Sequence, residues 1–288
     1  MMPTTNGTPG LGGTSTITDN GTSFAAPAVS ATIARLAQFG STFLNSNDVT
    51  DPRTIKAVLL NSATKLPNWG QGAAFMGTAG LTGILTGGVG GVTSVTQPLD
   101  PSQGAGLLNA NGAYLQLAAG KKSPTIAQKP LINIINPAVP LTGWDLNSVS
   151  LSLTNRYQLD TQVGGTMAIT LDWYRDVGGP VGGTNSILGL ADLNLYLYRS
   201  ADNMFTNVSL IAQSISLVDN VEHLWFTNLS TAYYEFTVGY SGYQGGTAPG
   251  NEDYAVAWNF VVPEPSTLLL AALGMTTLWW QSKRRRRA

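Results

Sequence analysis

Beyond residue 130 the apolar residues fall at every second position, and that period limits what the chain can fold into. Val149, Leu151 and Leu153 alternate with polar neighbours, as do Met167, Ile169, Leu171 and Trp173, and Leu193, Leu195 and Leu197. Tyr234, Phe236, Val238 and Tyr240 repeat the pattern, and Tyr254, Val256, Trp258 and Phe260 close it. Successive side chains of a strand point to opposite faces of a sheet, so such runs are strands with one buried face. Gly, Asn and Pro clusters punctuate them. The spacing predicts an antiparallel β-sandwich over 131–262, preceded by a Lys, Ser and Pro-bearing linker at 119–130.

The first 118 residues have another character. "DNGTSFAAPAVSATIARLAQ" (19–38) reads as a tight turn feeding a helix. Gly21 permits close backbone approach. Thr22 or Ser23 suits the N-cap, and Pro27 is tolerated near the first turn. Phe24, Ala28, Ala31 and Arg35 form one stripe, and Val29, Ile33, Leu36 and Ala37 fill much of the rest, which predicts a buried helix. Ser23 then lies among unpaired N–H groups in positive potential, where an oxyanion would be stabilised. The plainer reading is a serine that only caps a core helix. A second triplet, Gly13-Thr14-Ser15, lacks the continuation. Further on, "DPRTIKAVLLNSATKL" (51–66) predicts a helix capped by Asp51 and started by Pro52, with Ile55, Val58 and Leu59 on its apolar face.

Gly21-Thr22-Ser23-Phe24-Ala25-Ala26-Pro27 resembles the G-T-S-x-A-x-P nucleophile motif of subtilases, the subtilisin-like serine proteases. The helix at 51–66 and the glycine-led "GAGLLNANGAYLQL" (104–117) resemble the segments that follow it in that family. The resemblance implies the C-terminal segment of an α/β subtilase catalytic domain over 1–118. Ser23 would be the catalytic nucleophile, Gly21, Thr22, Ala25 and Pro27 its motif support, and a polypeptide the substrate of the intact parent. In the family an aspartate, a histidine and an oxyanion-hole asparagine precede the serine. Residues 1–22 hold no histidine, and their one acid, Asp19, does not match the family's aspartate motif. The chain's only histidine, His223, falls in a run that reads as a half-buried strand. A hydroxyl without a base is a poor nucleophile, so the chain alone is expected to be almost inactive. A longer parent and a degenerate remnant both account for this. The alternative function is a non-catalytic exported surface protein whose sandwich binds a polysaccharide or a partner.

The sandwich region is similar to the jelly-roll-like units that follow some subtilase domains, akin to pre-peptidase C-terminal domains, through "AITLDWYRD", "LADLNLYLYRS", "DNVEHLWFTN" and "DYAVAW". Its aromatics read as core rather than as a sugar platform. Asp192, Asp202, Asp219, Glu222, Glu252 and Asp253 are the candidate calcium ligands, but no dense Asp-x-Asp spacing joins them, so no metal or cofactor is expected. With no cysteine, disulfides and thiolate sites are excluded. Between Lys65 and Asp100 no residue is charged, and the glycine-rich run there reads as a long surface loop.

Residues 1–262 carry ten Lys/Arg and fifteen Asp/Glu, a balance of −5, which argues against nucleic-acid binding. The tail differs. Pro263-Glu264-Pro265 is followed by an uncharged apolar run and then by Lys283 and Arg284, Arg285, Arg286 and Arg287. From Leu268 to Trp280 a helix would span roughly 20 Å, short against a hydrocarbon core of about 30 Å. This arrangement over 263–288 resembles a PEP-CTERM sorting signal. The resemblance implies a short hydrophobic C-terminal helix held transiently in the inner membrane of a Gram-negative bacterium. It also implies processing by an exosortase-type enzyme near Pro263 to Pro265 and delivery to the cell surface or matrix. The N-terminus "MMPTTNGTPG" does not read as a signal peptide.

Overall fold

The computed structural model describes residues 3–5, 16–18, 21–44, 46–70, 92–181 and 184–261. It is a large, mostly antiparallel β architecture with few helices. A small antiparallel pair, β1 (Pro3–Thr5) with β2 (Thr16–Thr18), comes first. Helix α1 (Thr22–Phe39) follows and runs into a π turn at Gly40–Leu44. Gly40 has to be glycine, because a Cβ there would stand 2.1 Å from Val49 Cγ1.

Helix α2 (Pro52–Ser62) starts as its sequence predicts. The Asp51 carboxylate accepts from Arg53 N at 2.9 Å and is gripped by the Arg53 guanidinium, and Pro52 occupies the first turn. Thr54, Ile55, Ala57, Val58 and Asn61 are buried, one helical stripe of period 3.6. The helix stops at Ala63, where the backbone turns extended, and Thr64 bridges to Leu107. Gly106 sits at φ 120 beside that bridge, and a Cβ on it would be 2.4 Å from Thr64 O. Helix α3 (Ala110–Ala118) is capped by Asn109, whose side chain accepts from Gly112 N at 2.8 Å.

The strands form two pairing groups that share one long member. They are β3 (Thr93–Val95), β4 (Ile126–Gln128), β5 (Asn133–Ile135), β6 (Thr142–Ser150), β7 (Thr154–Gln158), β8 (Val163–Trp173), β9 (Asp176–Val181), β10 (Thr184–Ser200), β11 (Val208–Ser214), β12 (Val221–Gly245) and β13 (Asn251–Val261). The first half of β12 pairs with β8, which pairs with β13 and so with β6. Its second half pairs with β10 and β7, and β11, β9, β4 and β5 extend that group. Strand β3 joins its neighbour, β11, in parallel. A strand of 25 residues thus leaves one group and enters the other.

The two groups face each other across one core. Met167, Ile169, Leu171 and Trp173 of β8 and Tyr254, Val256, Trp258 and Phe260 of β13 meet Leu193, Leu195, Leu197, Phe236, Val238 and Tyr157. Trp258 contacts Tyr157 and Phe236 with ring centroids 5.6 and 5.2 Å apart. The other face of the β6–β13–β8 group is covered by helices. Ala255, Ala257 and Trp144 share a cluster with Ile55, Val58, Ala113 and Leu117, and Lys56 Nζ reaches Asp172 at 2.5 Å.

Four expectations change. The alternation at Val149, Leu151 and Leu153 is broken: β6 ends at Ser150, Leu151 is 37% exposed, and Ser152 takes a left-handed φ of 65. The 119–130 stretch, read as a linker, contains β4, and Lys122 N donates to Trp144 O. Helix α1 is not buried: of its residues only Thr32 and Leu36 are, and Ile33 is 38% exposed. Gly21, not Thr22 or Ser23, is the N-cap, and it offers no side-chain bond. Among the described residues no helix is long and apolar enough to cross a membrane. The expected C-terminal helix and the glycine-rich loop at 71–91 lie outside them.

Candidate functional site

Ser23 is the second residue of α1 and is exposed. The first turn closes through Phe24 N and Ala25 N, which donate to Gly21 O at 3.0 and 3.4 Å. The N–H groups of Thr22 and Ser23 precede any intrahelical partner, as at every helix start. Pro27 lies inside the helix and has no N–H for the Ser23 carbonyl four residues back. Neither acid nor base stands in this turn: α1 has no acidic residue in its first turn. Among the described residues nothing hydrogen-bonds to Ser23 Oγ. The side chain is thus an unengaged hydroxyl at the positive end of an 18-residue helix, open to solvent. Gly21, Thr22, Ala25 and Pro27 are all exposed around it.

His223 is elsewhere. It lies in β12 and is fully buried, not half-buried, because its face of the sheet is roofed by Trp69. Thr170 Oγ1 donates to Asn61 Oδ1 at 3.0 Å, so its 2.8 Å contact with His223 Nδ1 makes that nitrogen the donor. Burial, and then the charge of Lys65, hold His223 well below the usual imidazole range. Such a ring stays neutral and braces β8, β12 and α2. Nothing brings it to Ser23.

Other titrating groups are also shifted by burial. Lys65 lies over the Trp69 ring at 4.3 Å and donates to Ala105 O, and desolvation lowers it to about 7. Desolvation raises Asp145 and Asp172 to about 6 and Glu222 to about 9. Glu222 accepts from Ser216 N and Ser214 Oγ between the strands. The sequence offered no signal for Lys65 or for the Asn61–Thr170–His223 chain. The partners are 53 and 109 positions apart, and only the packing of α2 on the sheet joins them.

Among the described residues no three His, Cys, Asp or Glu side chains gather to hold a metal. Asp202 instead caps its own loop, accepting from Met204 N and Thr206 Oγ1, and Asp219 accepts from Ser216 Oγ. Pro263, Glu264, Pro265 and Arg284, Arg285, Arg286 and Arg287 lie outside the described residues, as does Asp19.

Comparison with known proteins agrees with the two sequence resemblances. Residues 3–85 match the subtilase family, Peptidase_S8, and residues 261–287 match the PEP-CTERM protein-sorting motif. The chain therefore carries a subtilase-family segment at one end and, at the other, a signal of exported proteins sorted to the cell envelope. Together the two partial matches suggest an exported, protease-related protein. No curated protein matches the chain. Among solved structures, that of a Yersinia pseudotuberculosis-derived mitogen aligns at 10% identity over 43% of this chain and 88% of that one. Its TM-score of 0.26 is too low to bear on the fold.

Proposed function

We propose that the chain serves subtilisin-type peptide-bond hydrolysis, with Ser23 as the nucleophile and its own backbone N–H as part of the oxyanion hole. The supporting observation is the placement of Ser23: an exposed hydroxyl at a helix N-terminus, inside a segment that matches the subtilase family. In this reaction Ser23 Oγ attacks the scissile carbonyl, a base takes its proton, and the amine leaves as the acyl-enzyme forms. Water then releases the acid. The sequence contains one histidine, and it is buried in β12, so no imidazole is at hand for Ser23. By itself the chain should cleave peptides negligibly. After the subtilase segment we read an ancillary β-sandwich of jelly-roll type. The tail we read as a sorting signal, cut near Pro263 to Pro265 by an exosortase-type enzyme that leaves the acidic body at the cell surface.

A fluorophosphonate probe tests the central step. A polypeptide of residues 1–288 should not be labelled at a protease-like rate. The product of the same reading frame extended upstream to include a histidine and an aspartate motif should be labelled at Ser23, and Ser23→Ala should abolish it. Rapid labelling of the short chain would contradict the proposed inactivity, and an extended product that labels elsewhere would refute Ser23 as nucleophile. Mass spectrometry of the surface form should show a C-terminus near residue 265.

A further inference from the structure

Strand β5 ends its sheet. It pairs with β4 through Ile126–Ile135, Ala127–Ile134 and Gln128–Asn133, and no strand lies on its other side among the described residues. Lys129 N donates to Ile132 O and Asn136 N donates to Thr125 O, so Ile132, Ile134 and Asn136 turn their backbone groups inward to β4. Antiparallel ladders alternate, so the N–H and C=O of Asn133 and Ile135 point outward, off the edge of the sheet. An open row of this kind is a template for another strand.

The same edge is apolar and open. Leu131, Ile132 and Ile135 are 95%, 60% and 80% exposed, and Leu131 and Ile135 are the two most exposed large apolar side chains among the described residues. No residue from Pro130 to Trp144 is charged, so β5 itself lacks the charge that commonly guards an edge. Pro130 and Pro137 stand at the two ends of the run and confine pairing to the residues between them.

We propose that β5 pairs with β5 of a second copy of this chain, antiparallel about a two-fold axis at Ile134. The register is self-complementary. With Ile134 opposite itself, Asn133 stands opposite Ile135 of the second copy; both face outward, so they exchange their backbone bonds, and the axis repeats the exchange. The two Ile134 side chains meet at the non-hydrogen-bonded position, where side chains come closest, and Ile132 of each copy lies diagonal to them. A slip of one residue would set outward groups against inward ones. A slip of two would set Asn133 opposite Pro137, which has no N–H, or Ile135 opposite Leu131 of the turn. Covering these side chains in both copies removes on the order of 1,000 Å² from water, the low end for a specific interface, so the dimer is a reversible one. The pairing uses the free edge of both copies, so assembly stops at two. A foreign peptide would gain the same backbone bonds, but β5 carries no charge to select one, whereas a second copy brings matching apolar side chains. The contact does not involve Ser23.

Disulfide trapping in the full chain tests the register. The chain has no cysteine, so a disulfide formed by a single-cysteine variant joins two copies. Opposed Cα atoms at a non-hydrogen-bonded position lie about 4.5 Å apart, within the roughly 4.4–6.8 Å that a disulfide spans. Under mild oxidation Ile134→Cys should give covalent dimer at least about tenfold faster than Met204→Cys, whose site is 75% exposed but elsewhere. Sedimentation of the parent chain should show a monomer–dimer equilibrium with a Kd on the order of 0.1 mM. Asn133→Pro removes an outward N–H and spares the bonds to β4, and Ile135→Lys places a cation on the edge. Each should keep the parent's Tm and weaken the dimer about tenfold or more. Met204→Lys should dimerise as the parent does. If Asn133→Pro does not fold, Ile135→Lys decides the matter. The proposal is overturned if the parent stays monomeric at about 1 mM, if Ile134→Cys is trapped no faster than Met204→Cys, if Ile135→Lys associates as the parent does, or if assembly exceeds two copies. Ser23 labelling is read separately, so failure here does not touch the protease reading.

Discussion

Glu222 holds a proton in the folded chain that it would have released in the unfolded one. Burial between β11 and β12 raises it from its ordinary 4.5 to about 9, although Ser214 and Ser216 donate to its oxygens and pull the other way. Between those values the native state binds more protons than the unfolded state, so stability falls as pH rises. The contribution is complete below about pH 4.5 and lost as pH passes 9. Asp145 and Asp172 act with the same sign but finish near pH 6. Lys65, lowered from 10.5 to about 7, has the opposite sign: above pH 7 its folded form has shed a proton that the unfolded chain keeps. Comparing Glu222→Gln with the parent cancels Lys65 and both aspartates. The amide should unfold at a Tm that gains on the parent as pH rises from about 7 to 9, by up to roughly 1.4 kcal/mol per pH unit. Thermal melts at three pH values check this, and parallel curves would show that Glu222 is ionised in the fold.

At the scale of elements, α1 and α2 share a chain segment but not a fate. Helix α2 is roofed by the sheet, with Ala57 and Val58 at 1% and 0% exposure. Helix α1 buries Thr32 and Leu36 alone. Backbone bonds that face water open without the rest of the fold, so amides in the first half of α1 should exchange at least about a hundredfold faster than those of Ala57 to Leu60. Hydrogen exchange resolved by residue measures this, and equal protection would mean that α1 has cover the described residues do not show. The contrast also marks the limit of legibility. Helix α2 could be read because Asp51, Pro52 and the stripe through Ile55 and Val58 agree with one another. The apolar surface of α1 said that it wants cover, not whether cover is present. Met167 to Trp173 and Tyr254 to Phe260 send their alternate large residues into the core between the strand groups, as the period predicts, but Thr170, Asp172, Ala255 and Ala257 between them are buried too, against the helices, which alternation does not express. The run through Leu151 lost its period, because Ser152 turns the chain with a positive φ that alternation cannot express. Of the site, the Ser23 motif was plain, whereas the Asn61–Thr170–His223 chain needed the packing of α2 on the sheet to be seen.

For the molecule as a whole, the telling feature is that the β6–β13–β8 group is buried on both faces. One face meets β10 and β12, and the other meets α2 and α3 through Ala255, Ala257, Trp144 and Gln116, whose Nε2 donates to Trp258 O at 3.0 Å. Trp144 in turn donates to Leu117 O at 2.9 Å. A cut at the sequence boundary near residue 119 would strip that second face. It would expose the Trp144 cluster to water and leave Asp172, 1% exposed in its side chain, without Lys56. Lys56 is 44% exposed, so loss of this pair costs less than the roughly 3–5 kcal/mol of a fully buried one, and burial lost from several apolar side chains adds to it at about 25 cal/mol per Å². A cut at residue 46 keeps α2, α3 and Lys56 in place and takes only Leu36, Phe39 and Leu44 from that cluster. Two truncations therefore separate the reading of two independent domains from that of one β structure completed by helices. The fragment 46–261 should unfold cooperatively, within a few degrees of the full chain. The fragment 120–261 should unfold at least 10 °C lower, on the order of the stability lost per residue removed from a core of this size, or collect in the insoluble fraction. If 120–261 matches the longer fragment in Tm, the β region folds alone and α2 and α3 merely rest on it.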